Sequence, residues 1–336
     1  MSSRSLKRLL VTGGAGFIGS NFVRLLRAER PEVHIKVVDS LEYSGNQKNL
    51  AGLQIDFVHG SIANVGLIDE LARDVDAIVN FAAQTHVDRS LTDSPGFARA
   101  NVEGTAVLCD AARRHGHEVF LHVSTDEVYG HVPTGRSRET DPFRPRSPYS
   151  ASKAGAELIV QAYAETYGLP AVITRGSNTY GQFQYPEKLI PVLITNAMDD
   201  LKLPLYNDGS AVRDFVFVED HCRAIDLVLH EAPVGGVYNV GTGVETSGKQ
   251  VAEAVLEIMG KPRTMIEFVA DRPGHDYRYA LDTARITELG WEPRVNLAEG
   301  LDRTVRWYEA HQDWWRPLKS GEYWEFYRKN YRPLES

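Results

Sequence analysis

The sequence contains little of what several large classes of protein require. It has two cysteines among 336 residues, Cys109 and Cys222, and neither lies in a CxxC motif or at metal-ligand spacing. This argues against a disulfide framework and predicts no metal site, and it indicates reduced thiols in the cytoplasm. No apolar run reaches the length of a membrane span, and the first residues lack the apolar stretch of a signal peptide. We therefore expect a cytoplasmic protein with no membrane partner.

The sequence also lacks an excess of positive charge. Lysine and arginine number 37 against 45 acidic residues, and the net charge is −8. Proteins that bind the phosphate backbone of nucleic acids need a basic surface, so we expect no nucleic-acid partner. The hydrophobic fraction of 43% and the charged fraction of 24% are ordinary for a soluble globular protein. The length suggests one large domain or two modest ones.

Apolar segments alternate with segments of helical spacing in the first half of the chain. The predicted strands are 9–11, 35–39, 57–58, 77–81, 119–123 and 171–175, and the predicted helices are 17–30, 95–114 and 149–167. This alternation predicts an α/β fold with a doubly wound parallel Rossmann sheet. After about residue 176 the segments become shorter and richer in loops, with helices at 249–259 and 297–311. We expect a Rossmann core at 1–176 and a smaller, interleaved C-terminal domain at 177–336, some of whose segments return to the core.

A glycine pattern lies directly between the first predicted strand and the first predicted helix. Gly13, Gly16 and Gly19 form a GxxGxxG motif, in which the glycines permit a tight turn, a close approach to a pyrophosphate and close helix–strand packing. The helix N-terminus offers N–H groups to phosphates. Asp39 follows about 20 residues later, at the end of the second strand, where an acid binds ribose hydroxyls and repels a 2′-phosphate. The pattern predicts a dinucleotide site that prefers NAD to NADP.

Two further groups of residues indicate acid–base chemistry. Tyr149 and Lys153 form a YxxxK pair on one helix face, where the cation is expected to lower the tyrosine pKa and make the phenol a usable base. The fifth predicted strand leads into Thr125, Asp126 and Glu127, at the edge where open α/β sheets bind ligands. Two adjacent carboxyls can serve as acid and base if their surroundings separate their pKa values.

Together these motifs resemble the extended short-chain dehydrogenase/reductase (NAD-dependent epimerase/dehydratase) family, and within it the dTDP-glucose 4,6-dehydratases. The resemblance runs from about residue 7 to about residue 319. The discriminating segments are His-Val-Asp-Arg-Ser at 86–90, Ser-Thr-Asp-Glu-Val-Tyr-Gly at 124–130, Tyr-Pro-Glu-Lys-Leu-Ile-Pro at 185–191 and Asp-Arg-Pro-Gly-His-Asp at 271–276. The Asp-Glu pair is the most specific of these features.

The resemblance implies a lyase that converts dTDP-glucose to its 4-keto-6-deoxy product for deoxysugar biosynthesis. Tyr149 takes the proton of the 4-hydroxyl while the C4 hydride passes to NAD⁺, and Thr125 hydrogen-bonds near O4. Glu127 then removes the C5 proton that the new ketone has acidified, and Asp126 protonates the departing 6-hydroxyl. The hydride returns to C6 and Glu127 reprotonates C5. Lys153 supports the tyrosine.

The resemblance also assigns binding residues, and it makes 1–176 the NAD-binding region and 177–336 mainly the nucleotide-sugar region. The implied cofactor residues are Gly13, Gly16, Phe17, Ile18, Gly19, Asp39, Ser40, Ser61, Ile62, Ala82, Ala83, Asn101, Tyr149 and Lys153. The implied substrate residues are His86, Thr125, Asn178, Lys188, Leu189, Pro204, Tyr206, Arg213, Asn239, Arg272 and His275. Guanidinium groups suit the diphosphate because they form two parallel hydrogen bonds.

The chain departs from the usual family pattern at three places. Gln84 and Thr85 stand where the family usually has Glu-Ser, Ser61 replaces an aspartate, and Thr179 replaces an asparagine near the substrate. These changes bear on contacts with the sugar, the adenine and the substrate, and they leave the acid–base residues intact.

Other functions share part of this pattern. An NDP-sugar 4-epimerase or a UDP-glucuronate decarboxylase would share the NAD site and the YxxxK pair, but neither reaction needs the Asp126–Glu127 pair. A dehydratase acting on another NDP-hexose keeps every motif. A non-catalytic NAD-binding protein would not need the intact acid–base residues. The resemblance further implies a homodimer formed through the helices at 95–114 and 149–167.

Overall fold

The computed structural model describes residues 3–271 and 276–331. The strands are β1 (Arg8–Thr12), β2 (His34–Asp39), β3 (Asp56–His59), β4 (Ala77–Asn80), β5 (Val119–Thr125), β6 (Ala171–Gly176), β7 (Asn178–Tyr180), β8 (Leu203–Tyr206), β9 (Val212–Phe217), β10 (Val237–Val240), β11 (Glu245–Ser247) and β12 (Ile266–Val269). The helices are α1 (Phe17–Glu29), α2 (Val65–Ala72), α3 (Val87–Ser90), α4 (Ser94–Phe97), α5 (Gly104–His115), α6 (Pro148–Tyr167), α7 (Leu189–Met198), α8 (Val218–Glu231), α9 (Gly248–Ile258), α10 (Ala284–Glu288), α11 (Leu297–Ala310), α12 (Gln312–Trp315) and α13 (Gly321–Asn330).

Seven strands form the main sheet, in the order β10-β6-β5-β4-β1-β2-β3, and every neighbouring pair is parallel. Strands buried on both faces need helices on both sides. Apolar residues of α1 and α8 cover one face, and those of α2, α5 and α6 cover the other. The predicted doubly wound Rossmann fold is therefore confirmed. No helix in the described part of the chain is long and apolar enough to cross a membrane.

The second half of the chain contributes to both parts of the molecule. The strand β10 forms the edge of the main sheet beside β6, and α8 packs on α1. The remaining strands form a three-stranded sheet, β11-β9-β7, and a two-stranded pair, β12-β8. Their core joins α7, α9 and α11 to the aromatic end of the chain, where Trp314 and Trp315 are buried. This is the smaller, interleaved C-terminal part, while the exact division at residue 176 stays a prediction.

The helix expected at 95–114 differs from its simple periodic form. The structure has the short helix α4, a π-helical segment at Ala98–Glu103 and then α5. A π-helical turn adds a residue to the helix and is frequent near functional sites. Here it carries Asn101, which is buried and accepts a hydrogen bond from the main-chain N–H of Gln84.

Candidate active site

One cavity at the carboxyl edge of the main sheet gathers most of the residues predicted for the site. Parallel strands end on the same edge, and the order of the strands reverses between β1 and β4, where ligands of such folds bind. The predicted residues that line it are Gly13, Gly16, Phe17, Ile18, Gly19, Asp39, Ser40, Ser61, Ile62, Ala82, Ala83, Thr125, Asp126, Glu127, Tyr149, Lys153, Asn178, Lys188 and Leu189. The cavity is therefore continuous from the glycine loop to the acid–base residues.

The glycine loop is shaped by its main chain. Gly13 has a φ of +68°, and a Cβ added to it would lie 2.5 Å from the main-chain nitrogen of Ala82. A Cβ on Gly19 would collide with the carbonyl oxygen of Gly13. Gly16 precedes α1 and supplies no capping side chain, so the first turn of this helix has N–H groups that the helix itself does not use. The loop and helix thus fit the pyrophosphate of a dinucleotide.

Asp39 lies at the end of β2 with its carboxylate buried against this loop. One oxygen accepts a hydrogen bond from the Ala15 N–H at 2.9 Å, and the other accepts one from the Leu41 N–H at 2.8 Å. Burial raises the pKa of Asp39, and these main-chain hydrogen bonds oppose the rise. Each carboxylate oxygen retains a second lone pair. Asp39 can therefore accept ribose hydroxyls while it also holds the loop, which fits NAD.

Asn101, by contrast, does not reach the cavity wall. Its side chain is buried, accepts a hydrogen bond from the Gln84 N–H at 2.8 Å, and donates to the Gln84 carbonyl at 3.0 Å and to Ser152 Oγ at 2.8 Å. These bonds fix the loop after β4 against α6. The structure therefore gives Asn101 a supporting position behind the cavity lining instead of the direct cofactor contact that the sequence suggested.

Tyr149 and Lys153 both line the cavity from the first turns of α6. This helix begins at a capping box formed by Ser147 and Ser150. Burial, and next the charge of Glu127, raise the pKa of Tyr149, while a hydrogen bond with the Thr125 hydroxyl lowers it. The Lys153 ammonium donates to the Val123 carbonyl at 2.7 Å. The shift is thus opposite to the lowering expected from the tyrosine–lysine spacing, because burial removes the hydration that the phenolate needs.

The two carboxyls after β5 differ in burial, because Asp126 is buried and Glu127 is half-buried. Asp126 lies in a short 3₁₀ turn and is 4% exposed. Burial, and next the neighbouring Glu127, raise the pKa of Asp126 to about 8, although Arg213 and the Thr125 hydroxyl oppose this. Thr125 donates to Asp126 Oδ1 at 3.2 Å and accepts from the Glu127 N–H at 3.3 Å. Asp126 is therefore protonated at neutral pH and can act as an acid.

The residues predicted for the nucleotide and diphosphate are only partly brought together. The ammonium of Lys188 donates to the Thr85 carbonyl at 2.9 Å, at the cavity wall. His86 is buried beside it, with its Nε2 atom 3.7 Å from the Glu187 carboxylate. Arg213 lies close enough to lower the pKa of Asp126. Outside the cavity lining are His86, Pro204, Tyr206 and Arg213, and Arg272 and His275 lie outside the described residues.

Asn239 requires a correction. It lies in β10 and is fully buried. Its amide donates to the carbonyls of Ser137 and Asp282 at 2.9 and 3.0 Å, and its oxygen accepts from the Tyr129 hydroxyl at 2.8 Å. These partners use both of its side-chain N–H donors. Asn239 therefore holds the segments that contain Ser137 and Asp282, and it has no donor left for a diphosphate.

Sequence reasoning missed several polar residues of the cavity. His221 of α8 is buried, and its Nδ1 atom is 2.7 Å from the Thr179 hydroxyl. Burial lowers the pKa of His221 to about 4, so the ring is neutral, and its Nε2 atom has no hydrogen-bond partner among the described residues. Burial likewise raises the pKa of Glu187 to about 7, against the opposing charges of Lys188 and Arg89. No spacing rule indicates these residues, because they come from separate elements.

Within 3–271 and 276–331 no group of three or more histidine, cysteine or acidic side chains is arranged to hold a metal ion. The two cysteines are buried and free.

The site combines a dinucleotide loop, a tyrosine–lysine pair and a buried acid beside a second carboxyl, which together define a nucleotide-dependent α/β enzyme. Comparison with known proteins agrees with this class. The chain belongs to the GDP-mannose 4,6 dehydratase family, whose model matches residues 10–304.

Two groups of relatives refine the comparison. The chain is 49% identical over 324 residues to a dTDP-glucose 4,6-dehydratase of Streptomyces niveus, covering 94% of this chain and 96% of the relative. Its fold is similar to the crystal structure of the dTDP-glucose 4,6-dehydratase DesIV of Streptomyces venezuelae with NAD and thymidine diphosphate bound, with a TM-score of 0.90, 49% identity and coverage of 93% and 100%. The dTDP-glucose 4,6-dehydratase of Bacillus anthracis in complex with NAD gives a TM-score of 0.88, 46% identity and coverage of 93% and 100%.

Proposed function

We propose that this protein is an NAD-dependent dTDP-glucose 4,6-dehydratase, a lyase that forms dTDP-4-keto-6-deoxyglucose for deoxysugar biosynthesis. The observation that carries the proposal is the burial of Asp126 beside Glu127, which raises the pKa of Asp126 to about 8, in the same cavity as Tyr149 and the glycine loop. An epimerase needs a base at the 4-hydroxyl but no acid for a departing 6-hydroxyl. Relatives of the same name at 49% identity support this choice.

The first stage is removal of the proton from the 4-hydroxyl of glucose. Tyr149 accepts this proton, since it lines the cavity and hydrogen-bonds with the Thr125 hydroxyl. Only the phenolate form of Tyr149 can take this proton, and Lys153 stabilises that form by its charge before the transfer. Thr125 polarises the new ketone. When bound, NAD⁺ accepts the hydride from C4, brings positive charge that favours the phenolate, and as NADH returns the hydride to C6.

The second stage is loss of water between C5 and C6. The C4 ketone acidifies the C5 proton, and Glu127 removes it. Asp126 donates its proton to the 6-hydroxyl, which then departs as water. Glu127 finally returns a proton to C5. The assignment of Asp126 as the acid and Glu127 as the base follows from the different burial of the two carboxyls. General acid–base steps of this kind each contribute about 10²–10⁴-fold in rate.

The substrate-binding roles are proposals of the same kind. Asn178, Lys188 and Leu189 face the cavity, and Arg213 brings positive charge towards Asp126 from β9. We assign the diphosphate to this side of the site, together with His86, Arg272 and His275. Pro204 and Tyr206, both on β8, are assigned to the base.

Mass spectrometry of dTDP-glucose and UDP-glucose incubated separately with the purified protein tests the function. We expect the dTDP sugar to yield a product lighter by one water, at a higher rate than the UDP sugar. Equal or faster reaction of UDP-glucose would contradict the choice of nucleotide. A product of unchanged mass with inverted C4 would identify an epimerase, and no reaction from protein that holds NAD⁺ would contradict the proposed function itself.

We further propose that the enzyme works in the cytoplasm as a homodimer formed through α6 and the helix before it. Three residues of α6 at seven- and four-residue spacing, Ala151, Leu158 and Ala162, are exposed, and Leu158 is 53% exposed. Small and apolar residues on one helix face suit close packing with a second copy. Light scattering should give a dimer that Leu158→Glu weakens, and a monomeric wild-type protein would contradict this.

A further inference from the structure

A buried ion pair lies one helical turn beyond the catalytic lysine. Glu157 follows Lys153 by four residues on α6 and is fully buried. The Nε atom of Arg175 in β6 donates to its two carboxylate oxygens at 3.0 and 3.1 Å, and the Nη2 atom of Arg175 donates to it as well. Residues four apart on a helix are neighbours, so the Glu157 carboxylate is bound to Arg175 and close enough to Lys153 for its charge to act on the ammonium.

The same arginine reaches the turn that carries the two catalytic carboxyls. Its Nη1 atom donates to the Tyr129 hydroxyl at 2.5 Å and to the Glu139 carbonyl at 3.0 Å. Tyr129 is the last residue of the 3₁₀ turn that begins with Asp126. A continuous set of buried contacts therefore joins α6, which holds Tyr149 and Lys153, to the turn that holds Asp126 and Glu127.

Stability alone is a weak reason for such a pair. The free energy lost when two charges leave water offsets much of the free energy gained from their attraction. Apolar residues of similar size therefore often stabilise a core equally well. Glu157 is also the group that favours the charged form of Lys153: burial lowers the pKa of Lys153 to about 8, and Glu157 opposes this.

None of the other described groups around Lys153 supplies the negative charge that this carboxylate does. His122 faces it from β5, and burial, with the lysine charge, lowers the pKa of His122 well below its usual value, so the ring is neutral. Tyr149 lies one turn earlier on α6, and Asp126 and Glu127 act on Tyr149. Arg175 on β6 adds positive charge that Glu157 neutralises.

We propose that Glu157, held by Arg175, is a positioning residue that keeps Lys153 protonated during oxidation of the sugar. The proposal rests on the proposed function, because it concerns the step in which Tyr149, as a phenolate, takes the proton of the sugar hydroxyl. A neutral Lys153 would leave that phenolate without its cation. The buried pair thereby sets the upper pH limit of the first stage.

The test is the pH profile of NADH formation in a single turnover of the NAD⁺-loaded enzyme with dTDP-glucose. In Glu157→Gln the alkaline decline should move to lower pH by roughly one unit or more, the size expected from loss of a neighbouring charge. Glu157→Asp, which keeps the charge, should restore the wild-type profile. Glu139→Gln is the matched control: Arg175 bonds only the main-chain carbonyl of Glu139, and a glutamine oxygen can still accept from the Asn239 N–H, so this variant should change nothing.

The possible results separate the two proposals. If wild-type enzyme forms no NADH from dTDP-glucose, the proposed function fails, whatever Glu157 does. If wild type reacts and Glu157→Gln keeps the wild-type alkaline limit, or Glu157→Asp shifts it equally, the positioning role is overturned. Should Glu157→Gln not fold, Glu157→Gln with Arg175→Met leaves no unpaired buried charge and should still show the shift. If the double variant keeps the wild-type alkaline limit, or if it does not fold, the ion pair serves only the stability of the fold and the proposal is overturned.

Discussion

The two ends of the cavity are built from different parts of the polypeptide. The cofactor end is shaped by main chain: three glycines, an uncapped helix start and an aspartate that binds main-chain N–H groups. The reaction end is shaped by buried ionisable side chains, of which Asp126, Tyr149 and Lys153 all have shifted pKa values. We therefore expect substitutions at the first end to act mainly through added volume, and substitutions at the second to act mainly through protonation.

The largest expected effect is at the reaction end. Tyr149→Phe keeps the ring but removes the phenol oxygen that accepts the 4-hydroxyl proton. Formation of NADH in a single turnover should fall by about 10²–10⁴-fold, while NAD binding stays normal. Tyr163→Phe, on the same helix and away from the cavity, should react as wild type. Undiminished NADH formation in Tyr149→Phe would remove Tyr149 from the role of base.

A second substitution should stop the reaction halfway. Glu127→Gln cannot take the C5 proton, but it leaves Tyr149 and Lys153 in place. Bound NADH should therefore accumulate when dTDP-glucose is added, and the release of water should slow by about 10²–10⁴-fold. Absorbance of the reduced nicotinamide measures this directly. Normal turnover would show that another group is the base.

The cofactor end should respond to a single methyl group. Gly13→Ala places a Cβ 2.5 Å from the Ala82 nitrogen at a φ of +68°. Strain of this kind costs about 1–3 kcal/mol, so NAD affinity measured by calorimetry should fall roughly 5- to 150-fold, equally at all pH values. Gly116→Ala is the matched control, since its φ is +66° but its Cβ would meet nothing within 4 Å. Equal affinity in the two variants would show that the loop is not the phosphate site.

The smallest expected effect is a pH dependence of the second stage. Asp126 must carry a proton to release the 6-hydroxyl, and its pKa is raised to about 8. The disappearance of NADH should thus be constant from neutral pH to about pH 8, where Glu127 stays ionised as the base, and should slow about tenfold per unit above it, as the acid ionises. A rate that rises through this range would contradict the assignment of Asp126 as the acid.

Sequence reasoning reached the residues that line both ends of the cavity but not the contacts that support them, for a physical reason. The strands, the glycines and Asp39 follow local patterns in which neighbours in sequence are neighbours in space. The return of β10 to the sheet, the contact of Tyr129 with Asn239 and the pairing of Glu157 with Arg175 depend on packing between distant segments. The direction of the Tyr149 pKa shift was misjudged because the spacing shows the lysine but not the burial.

The most direct measurement follows the hydrogen on C4. We would incubate dTDP-glucose carrying deuterium at C4 with the enzyme and locate the label in the product by NMR. Transient oxidation with return of the same hydride predicts deuterium at C6 of the 4-keto-6-deoxy sugar and no net change in NAD. Deuterium retained at C4, or lost to solvent, would contradict the account.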